Sequence, residues 1–395
     1  MTTTLAKLAP SDDSITIQQL TQDPYSIYRR LRAETPVLRV KAVGRTMLTK
    51  AEDTKYVKDN PELFSSNDPN TPMERAFLAH TLMRKDGCPH LRERQAMEPA
   101  LDPNHIKRWA PAFADLTDRL LDNLSFHKSV DLLPTLATPI AAGYLKIVLG
   151  LDTAGEERLF DWASALVRGA MNASFNPEVF AISDCANDEM NACFDRMIDQ
   201  HKTTPDDSVL SNMINASDPL DMSQIRTNMK ICIGGAVIET RDALLSTVYG
   251  LLCNPDQLRR CKDTDDWGSA CQEGLRWVAP IQASPRIVKK TLAMRGLLIP
   301  QGETVMAIQA SANHDEAHWD DADRFDVHRC NINHQTFGEG AHRCLGDHVY
   351  CLLAAKIVLP KLFERFPFLC LADPGAVKFK GFAFRGATSM TVKLC

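Results

Sequence analysis

The residues best suited to chemistry lie near the C-terminus, in Phe337-Gly-Glu-Gly-Ala-His-Arg-Cys344-Leu-Gly346. One cysteine stands among three glycines, a histidine and an arginine. A cysteine that ligates a metal has to be a thiolate and has to be approachable. Gly338, Gly340 and Gly346 permit positive φ angles and let backbone N–H groups come close to the sulfur and to a flat group beside it. Residues 345–363 are apolar at helical spacing (Val349, Leu352, Leu353, Ile357, Val358). The spacing therefore predicts Cys344 at a helix N-terminus, where the dipole lowers a thiol pKa. A thiolate on iron pushes electron density onto the metal and favours O–O cleavage, so oxygen activation is the chemistry this segment could support. Two plainer readings stand beside it: a zinc-like spacing of His342, Cys344, His348 and Cys351, and an inert buried cysteine.

Three upstream patterns bear on the choice. Glu273-Gly-Leu-Arg276 puts a carboxylate and a guanidinium on one helical face, and is followed by Pro280, Arg286 and Asp323-Arg-Phe325-Asp-Val-His-Arg329. His90-Leu-Arg-Glu-Arg94 follows the turn Asp86-Gly-Cys-Pro89, with His90 and Arg94 on one face. A long helix is predicted over 221–253, and it contains Ile233-Gly-Gly-Ala-Val-Ile-Glu-Thr240-Arg-Asp242. Each glycine inside a helix costs roughly 1 kcal/mol against alanine, so Gly234 and Gly235 point to a ligand or a second backbone lying close.

The cysteine segment has six fixed residues in its pattern, which chance would produce about once in a million such chains. Together with the upstream patterns and their order, it resembles the cytochrome P450 family over roughly residues 20–395. The resemblance implies a mainly α fold with a small β-rich region and a haem b ligated by Cys344, with Phe337 and Gly338 in the loop beside it. His90, Arg94, Arg286 and His342 would meet the haem propionates. Glu273, Arg276 and Arg329 would form a buried ionic triad that holds the cysteine loop. The helix 221–253 would cross the haem face where oxygen binds. Its family pattern is Ala-Gly-x-Asp/Glu-Thr, which Ala236, Glu239 and Thr240 match while Val237 replaces the glycine. Glu239 and Thr240 would be the acid and alcohol that deliver protons during dioxygen reduction.

A finer likeness lies in Gly-Gly-Ala236-x-x-Glu-x-x-Asp242, Ser311-Ala-Asn-His-Asp315 and Gly381-Phe-Ala-Phe384-Arg-Gly386. These resemble the bacterial group that contains aromatic O-demethylases and reductase-fused enzymes, although such demethylases often carry proline where this chain has Thr240. No flavin, nicotinamide or iron–sulfur fingerprint accompanies the pattern, so a separate ferredoxin and/or flavin reductase is expected to supply electrons. Expected pocket residues are Phe77, Leu78, Leu82, Ala170, Ile231, Gly235, Ala236, Ile281, Ala283 and Phe384. Their small apolar character suits a compact hydrophobic or aromatic substrate, and Arg75 and Arg168 are the cations that could reach it. Within the class, terpene or natural-product hydroxylation is the alternative. Outside it stand a haem sensor that binds without turnover and a peroxide-driven enzyme.

Composition sets bounds on these readings. The 395 residues are 44% hydrophobic, enough to bury a large core, and no linker divides them. Residues 1–15 read as a loose polar tail and 16–395 as one haem-binding domain, since the motifs have to converge on one cofactor. Helices are predicted over 23–32, 105–124, 133–151, 156–171 and 187–201, and short strands over 37–43, 46–48, 287–291, 304–308 and 390–394. A net charge of −5 with scattered basic residues leaves no nucleic-acid footprint. Neither a secretory h-region nor a spanning apolar run is present near Met1, and twelve cysteines without paired spacing suit a reducing, cytoplasmic setting.

Overall fold

The structure, a computed structural model, describes residues 7–69, 71–330 and 333–394. It is mainly helical, with short strands gathered in four small sheets among the described residues. The main apolar core lies between the helices Ala110–Leu124, Thr138–Leu149, Glu156–Ala170, Pro177–Thr203 and Trp267–Trp277. Leu116, Leu120 and Leu124 of the first recur at helical spacing and are buried, as are Ile140, Tyr144 and Val148 of the second. Burial of such stripes, each side chain contributing about 1.5–3 kcal/mol, holds these helices in place.

Several predicted elements change length for local reasons. The helix predicted over 187–201 starts ten residues earlier, at Pro177, because Asn176 caps it through a bond from the Glu178 N–H. The segment 345–363 is a helix Asp347–Leu353, a π turn Ala354–Val358 and a helix Leu359–Arg365. Pro360, which lacks an N–H, is accommodated by that widening. The strand predicted over 287–291 lies earlier, at Ser284–Val288. Residues 7–12, predicted as part of a loose tail, instead add strand edges: Lys7–Leu8 pairs with Leu297–Ile299, and Ser11–Asp12 with Val37–Val40. Their backbone groups are satisfied by the sheets, which overrides their polar composition. Residues 1–6 lie outside the described residues.

The largest correction concerns the helix predicted over 221–253. It is two helices, Met222–Gly234 and Val237–Cys253, broken at Gly235 (φ −116, ψ 12) and Ala236 (φ −131, ψ −35). At Gly234 an added Cβ would lie 2.7 Å from Phe77 Cζ, so the Phe77 ring packs directly on the helix backbone. Gly235, by contrast, is exposed although the residues on either side of it, Ile233, Gly234 and Val237, are buried.

The six-stranded sheet runs Ser11–Asp12, Val37–Val40, Arg45–Leu48, Thr304–Ala307, Ser284–Val288, Phe64–Ser65. It positions Arg286, which sits opposite Val305 in an antiparallel pair.

Candidate functional site

Cys344 lies two residues ahead of Gly346, the N-cap of the helix Asp347–Leu353. Its backbone N–H donates to Phe337 O at 2.8 Å, which closes the loop. Gly338 and Gly340 take positive φ (74 and 64), and at Gly340 an added Cβ would strike Lys58 O at 2.6 Å. Gly346 departs from expectation with φ −91; its N–H points at the cysteine and donates to Sγ at 3.3 Å.

The Cys344 side chain is accessible, yet burial pushes its thiol up to about 11. The two facts agree if the sulfur opens onto an internal cleft rather than the outer surface. The expected lowering of the thiol pKa is thus outweighed, because desolvation exceeds the effect of one N–H bond and Asp347 and Glu239 add negative charge. Deprotonation of this cysteine has to come with a bound cation.

The break between the two helices lies near this cysteine, close enough for Cys344 to influence Cys232, Tyr144 and Glu239 electrostatically. Ile231, Cys232, Ala236 and Glu239 are half-buried there and flank the exposed Gly235. Burial, with Asp242 nearby, pushes Glu239 up to about 7, and its Oε2 is buried without a hydrogen-bond partner among the described residues. Thr240 is buried and shares a 2.9 Å hydrogen bond with the Tyr144 hydroxyl. Neither Cys232 nor Tyr144 was singled out by sequence; each is one residue in an apolar helical run, with no local signal.

A cage of cationic and imidazole groups forms at one side. His90 is buried on the helix Gly87–Leu101, and its ring lies 4.1 Å from that of His342. Burial and neighbouring cations lower both, His342 to about 3, so the rings are neutral. Arg94 donates to Arg343 O at 2.7 Å and to Glu98 at 2.9 Å, tying its helix to the cysteine loop. Arg286 is lowered to about 10 by burial and by the adjacent Arg84. Its Nη1 donates to the Pro285 carbonyl next to it at 2.8 Å. Arg84, which sequence reasoning missed because Arg-Lys in a loop is unremarkable, contacts Met73 Sδ at 3.4 Å and Thr71 Oγ1 at 3.5 Å. Buried guanidinium groups held by such weak acceptors suit an anionic ligand.

The triad residues come together beneath the site. Arg276 Nε and Nη2 donate to the two Glu273 oxygens at 2.7 Å each, and Arg329 Nε reaches Glu273 Oε1 at 3.3 Å. Arg276 also donates to the carbonyls of Asn313, Ala322 and Arg324, and Arg329 to those of Asp320, Asp321 and Arg324. Asn313 continues the chain of bonds, accepting from Gln335 N–H at 2.8 Å and donating to Thr336 Oγ1 at 2.9 Å. The triad therefore acts on the cysteine loop through segment 313–329. Among the described residues no cluster of three His, Cys, Asp or Glu could hold a metal ion, so the zinc-like spacing does not converge in space.

The expected pocket residues divide. Phe77 and Leu82 are buried against the main core, while Leu78 is 53% exposed at a left-handed φ of 49. Ile231, Ala236 and Ala170 pack half-buried at the core edge. Ile281 bridges Phe384, which brings these two together. Ala283, just ahead of the strand Ser284–Val288, is instead buried in a separate core with Met306 and Ala310. Arg75 is held bidentate by Asp184 at 2.5 and 2.7 Å, which removes it as a clamp for substrate.

Comparison with known proteins bears directly on this arrangement. The family model described as Cytochrome P450 matches residues 268–381. The putative cytochrome P450 YjiB of Bacillus subtilis is 27% identical, over 87% of each chain. Linalool 8-monooxygenase of Pseudomonas putida is 26% identical, over 87% of this chain and 88% of that protein. The crystal structure of P450BioI with an acyl carrier protein ligated to hexadec-9Z-enoic acid superposes with a TM-score of 0.86 at 24% identity, covering 95% of this chain and 99% of that one. The class is that of mainly helical, haem-binding oxidoreductases. The C-terminal part of this chain is similar to the cytochrome P450 family, and over most of its length it is similar to proteins named as cytochromes P450, monooxygenases among them.

The residues present fit a haem. An accessible cysteine with an N–H on its sulfur, a helix break bearing no side chain at Gly235, and half-buried guanidinium groups whose hydrogen bonds go to a carbonyl, a thioether and a hydroxyl match an iron ligand, a flat face and a pair of carboxylates.

Proposed function

We propose that this P450 inserts one oxygen atom of O2 into a C–H bond of a compact, neutral, hydrophobic or aromatic substrate, by hydroxylation or O-demethylation. Electrons would come from a separate ferredoxin and/or flavin reductase, and residues 16–395 would act as one haem-binding unit. The observation that carries the chemistry is Glu239, a half-buried acid with one buried oxygen that no described residue partners, its pKa raised to about 7 beside Thr240 at the helix break. When bound, haem b supplies reductive activation of dioxygen, which a thiolate ligand favours.

The protein's own part follows from its geometry. Cys344 Sγ is the ligand, its charge supported by the Gly346 N–H. With a pKa of about 7, Glu239 can both hold and release a proton at its carboxyl, which suits a relay that must reload in each cycle. Thr240 carries the hydroxyl next to it. Phe77, packed on Gly234, closes the apolar wall and excludes water from the reacting carbon. Thr240→Ala should lower product formed per NADH by about tenfold or more and release the difference as hydrogen peroxide. Equal coupling in the variant would require another proton route.

The haem carboxylates would be met by His90, Arg94, Arg286 and His342, together with Arg84. Since the two imidazoles are neutral and Arg94 is paired with Glu98, Arg84 and Arg286 supply two positive charges for two carboxylates. Arg84→Leu should raise the rate of haem transfer to a scavenger protein by roughly 10–100-fold, the usual effect of removing a supporting group. An unchanged rate would place Arg84 outside the cage.

The substrate class rests on small apolar walls and on the engagement of Arg75 with Asp184. A visible-spectrum titration of the ferric protein with methoxyaromatics, phenols and terpenes tests it through the spin-state change on binding. Hydroxylation of a methoxy carbon gives a hemiacetal that collapses to a phenol and formaldehyde. Formaldehyde release thus separates O-demethylation from the terpene hydroxylation that the likeness to linalool 8-monooxygenase favours. Among the described residues no helix is long and apolar enough to cross a membrane.

A further inference from the structure

Thr240 behaves unlike the other buried hydroxyl residues in its surroundings. A helical Ser or Thr usually donates to the carbonyl four residues earlier. Thr117, Thr227, Ser246 and Thr247 do so, to Phe113, Ser223, Asp242 and Ala243, at 2.7–3.0 Å. For Thr240 the corresponding carbonyl, that of Ala236, takes the Thr240 backbone N–H at 3.1 Å. The Thr240 side chain is instead joined at 2.9 Å to the hydroxyl of Tyr144, on the helix Thr138–Leu149.

Tyr144 is built to hold that position. It is buried, and its ring meets Phe113 edge to face (6.1 Å, 85°). Burial raises its pKa, so it stays a phenol, and it lies close enough to the cleft to feel Glu239 and Cys344. Of the two hydroxyls the phenol is the more acidic and hence the better donor.

We propose that Tyr144 is a positioning residue for oxygen activation: its O–H donates to Thr240 Oγ1, occupying a lone pair there and leaving the Thr240 hydrogen free to point into the cleft beside Glu239. This rests on the reading of Glu239 and Thr240 as the proton-delivering pair. In the absence of the Tyr144 hydroxyl, the Thr240 hydroxyl turns back onto the Ala236 carbonyl, and its hydrogen leaves the cleft.

Two readouts test this in the haem-loaded protein. The first is a double-mutant cycle in thermal unfolding with Tyr144→Phe and Thr240→Val. A hydrogen bond between them predicts that the double variant melts no lower than the worse single one, whereas additive shifts would overturn the contact. The second is coupling. Tyr144→Phe should raise the peroxide released per NADH severalfold at unchanged haem content and substrate KM, and adding it to Thr240→Ala should change nothing further. Normal coupling in Tyr144→Phe, with uncoupling in Thr240→Ala, would overturn the positioning role while leaving the proton-pair reading intact. Normal coupling in Thr240→Ala would remove that reading and this inference with it.

Discussion

Cys344→Ser should yield a folded protein that no longer shows the spectrum of a thiolate-ligated haem. The loop is closed by the Cys344 N–H to Phe337 carbonyl bond and by the glycine conformations at 338 and 340, none of which uses the sulfur. The fold should therefore persist. What changes is the donor: a serine hydroxyl lacks the soft, readily deprotonated sulfur and cannot push electron density onto iron as a thiolate does. Turnover should fall by more than the roughly 10–100-fold that loss of a mere supporting group costs. Carbon monoxide binding to the reduced protein reports the ligand, and an unaltered absorption band in the serine variant would show that another residue would hold the iron.

Glu273→Ala should give protein that folds poorly and retains no haem. Glu273 and Arg276 have side chains that are 3% and 0% exposed, and Arg329 is 11% exposed. Removing the carboxylate strands both guanidinium groups and the Asp326 N–H, which donates to Glu273 Oε1 at 2.7 Å. Breaking a buried pair in this way costs about 3–5 kcal/mol, a large share of a total of roughly 5–15. The loss reaches the haem loop through the carbonyls of segment 313–326 and the Asn313 bonds to Gln335 and Thr336. Glu273→Gln, which keeps the shape and some of the bonds, should be intermediate. The haem-to-protein ratio and the melting temperature measure both variants; full haem occupancy with a normal melting temperature in the alanine variant would remove the triad from the account.

Two motif groups noticed only as patterns acquire a physical meaning in the fold. Ser311-Ala-Asn-His-Asp315 is a hub of bonds. Ser311 donates to Thr49 O, His314 is held between Asp323 and the Trp277 carbonyl, and Asp315 accepts from Ala51 N–H. Asp242 and Gly386, from separate motifs, lie against each other so closely that a Cβ on Gly386 would be 2.1 Å from Asp242 Cγ. Neither relation is readable from spacing, since the partners lie far apart in the chain.

The sequence by itself indicated the class of fold, the resemblance to a family, and residues that the fold brings together, such as Glu273 with Arg276 and Arg329, and His90 with His342. Those features are written as residue types at short, fixed spacings, because a loop that wraps a ligand or a helix face that carries an ion pair is a local object. Tertiary structure decided the rest. The glycine pair announced a close approach, but that Phe77 from another segment packs on Gly234, and that the helix breaks in two just beyond it, was not readable from the pair. The Cys344 dipole argument was locally sound and was overruled by burial, a property of everything packed around the sulfur. Ala283, expected as pocket lining, packs in a separate core with Met306 and Ala310, residues distant from it in the chain. Arg84 and Tyr144 had no local signature at all; each matters through a neighbour distant in sequence, Arg286 in one case and Thr240 in the other. Local covalent order can specify what a residue is and which face it occupies, whereas desolvation and long-range hydrogen bonding exist only once the chain has closed on itself.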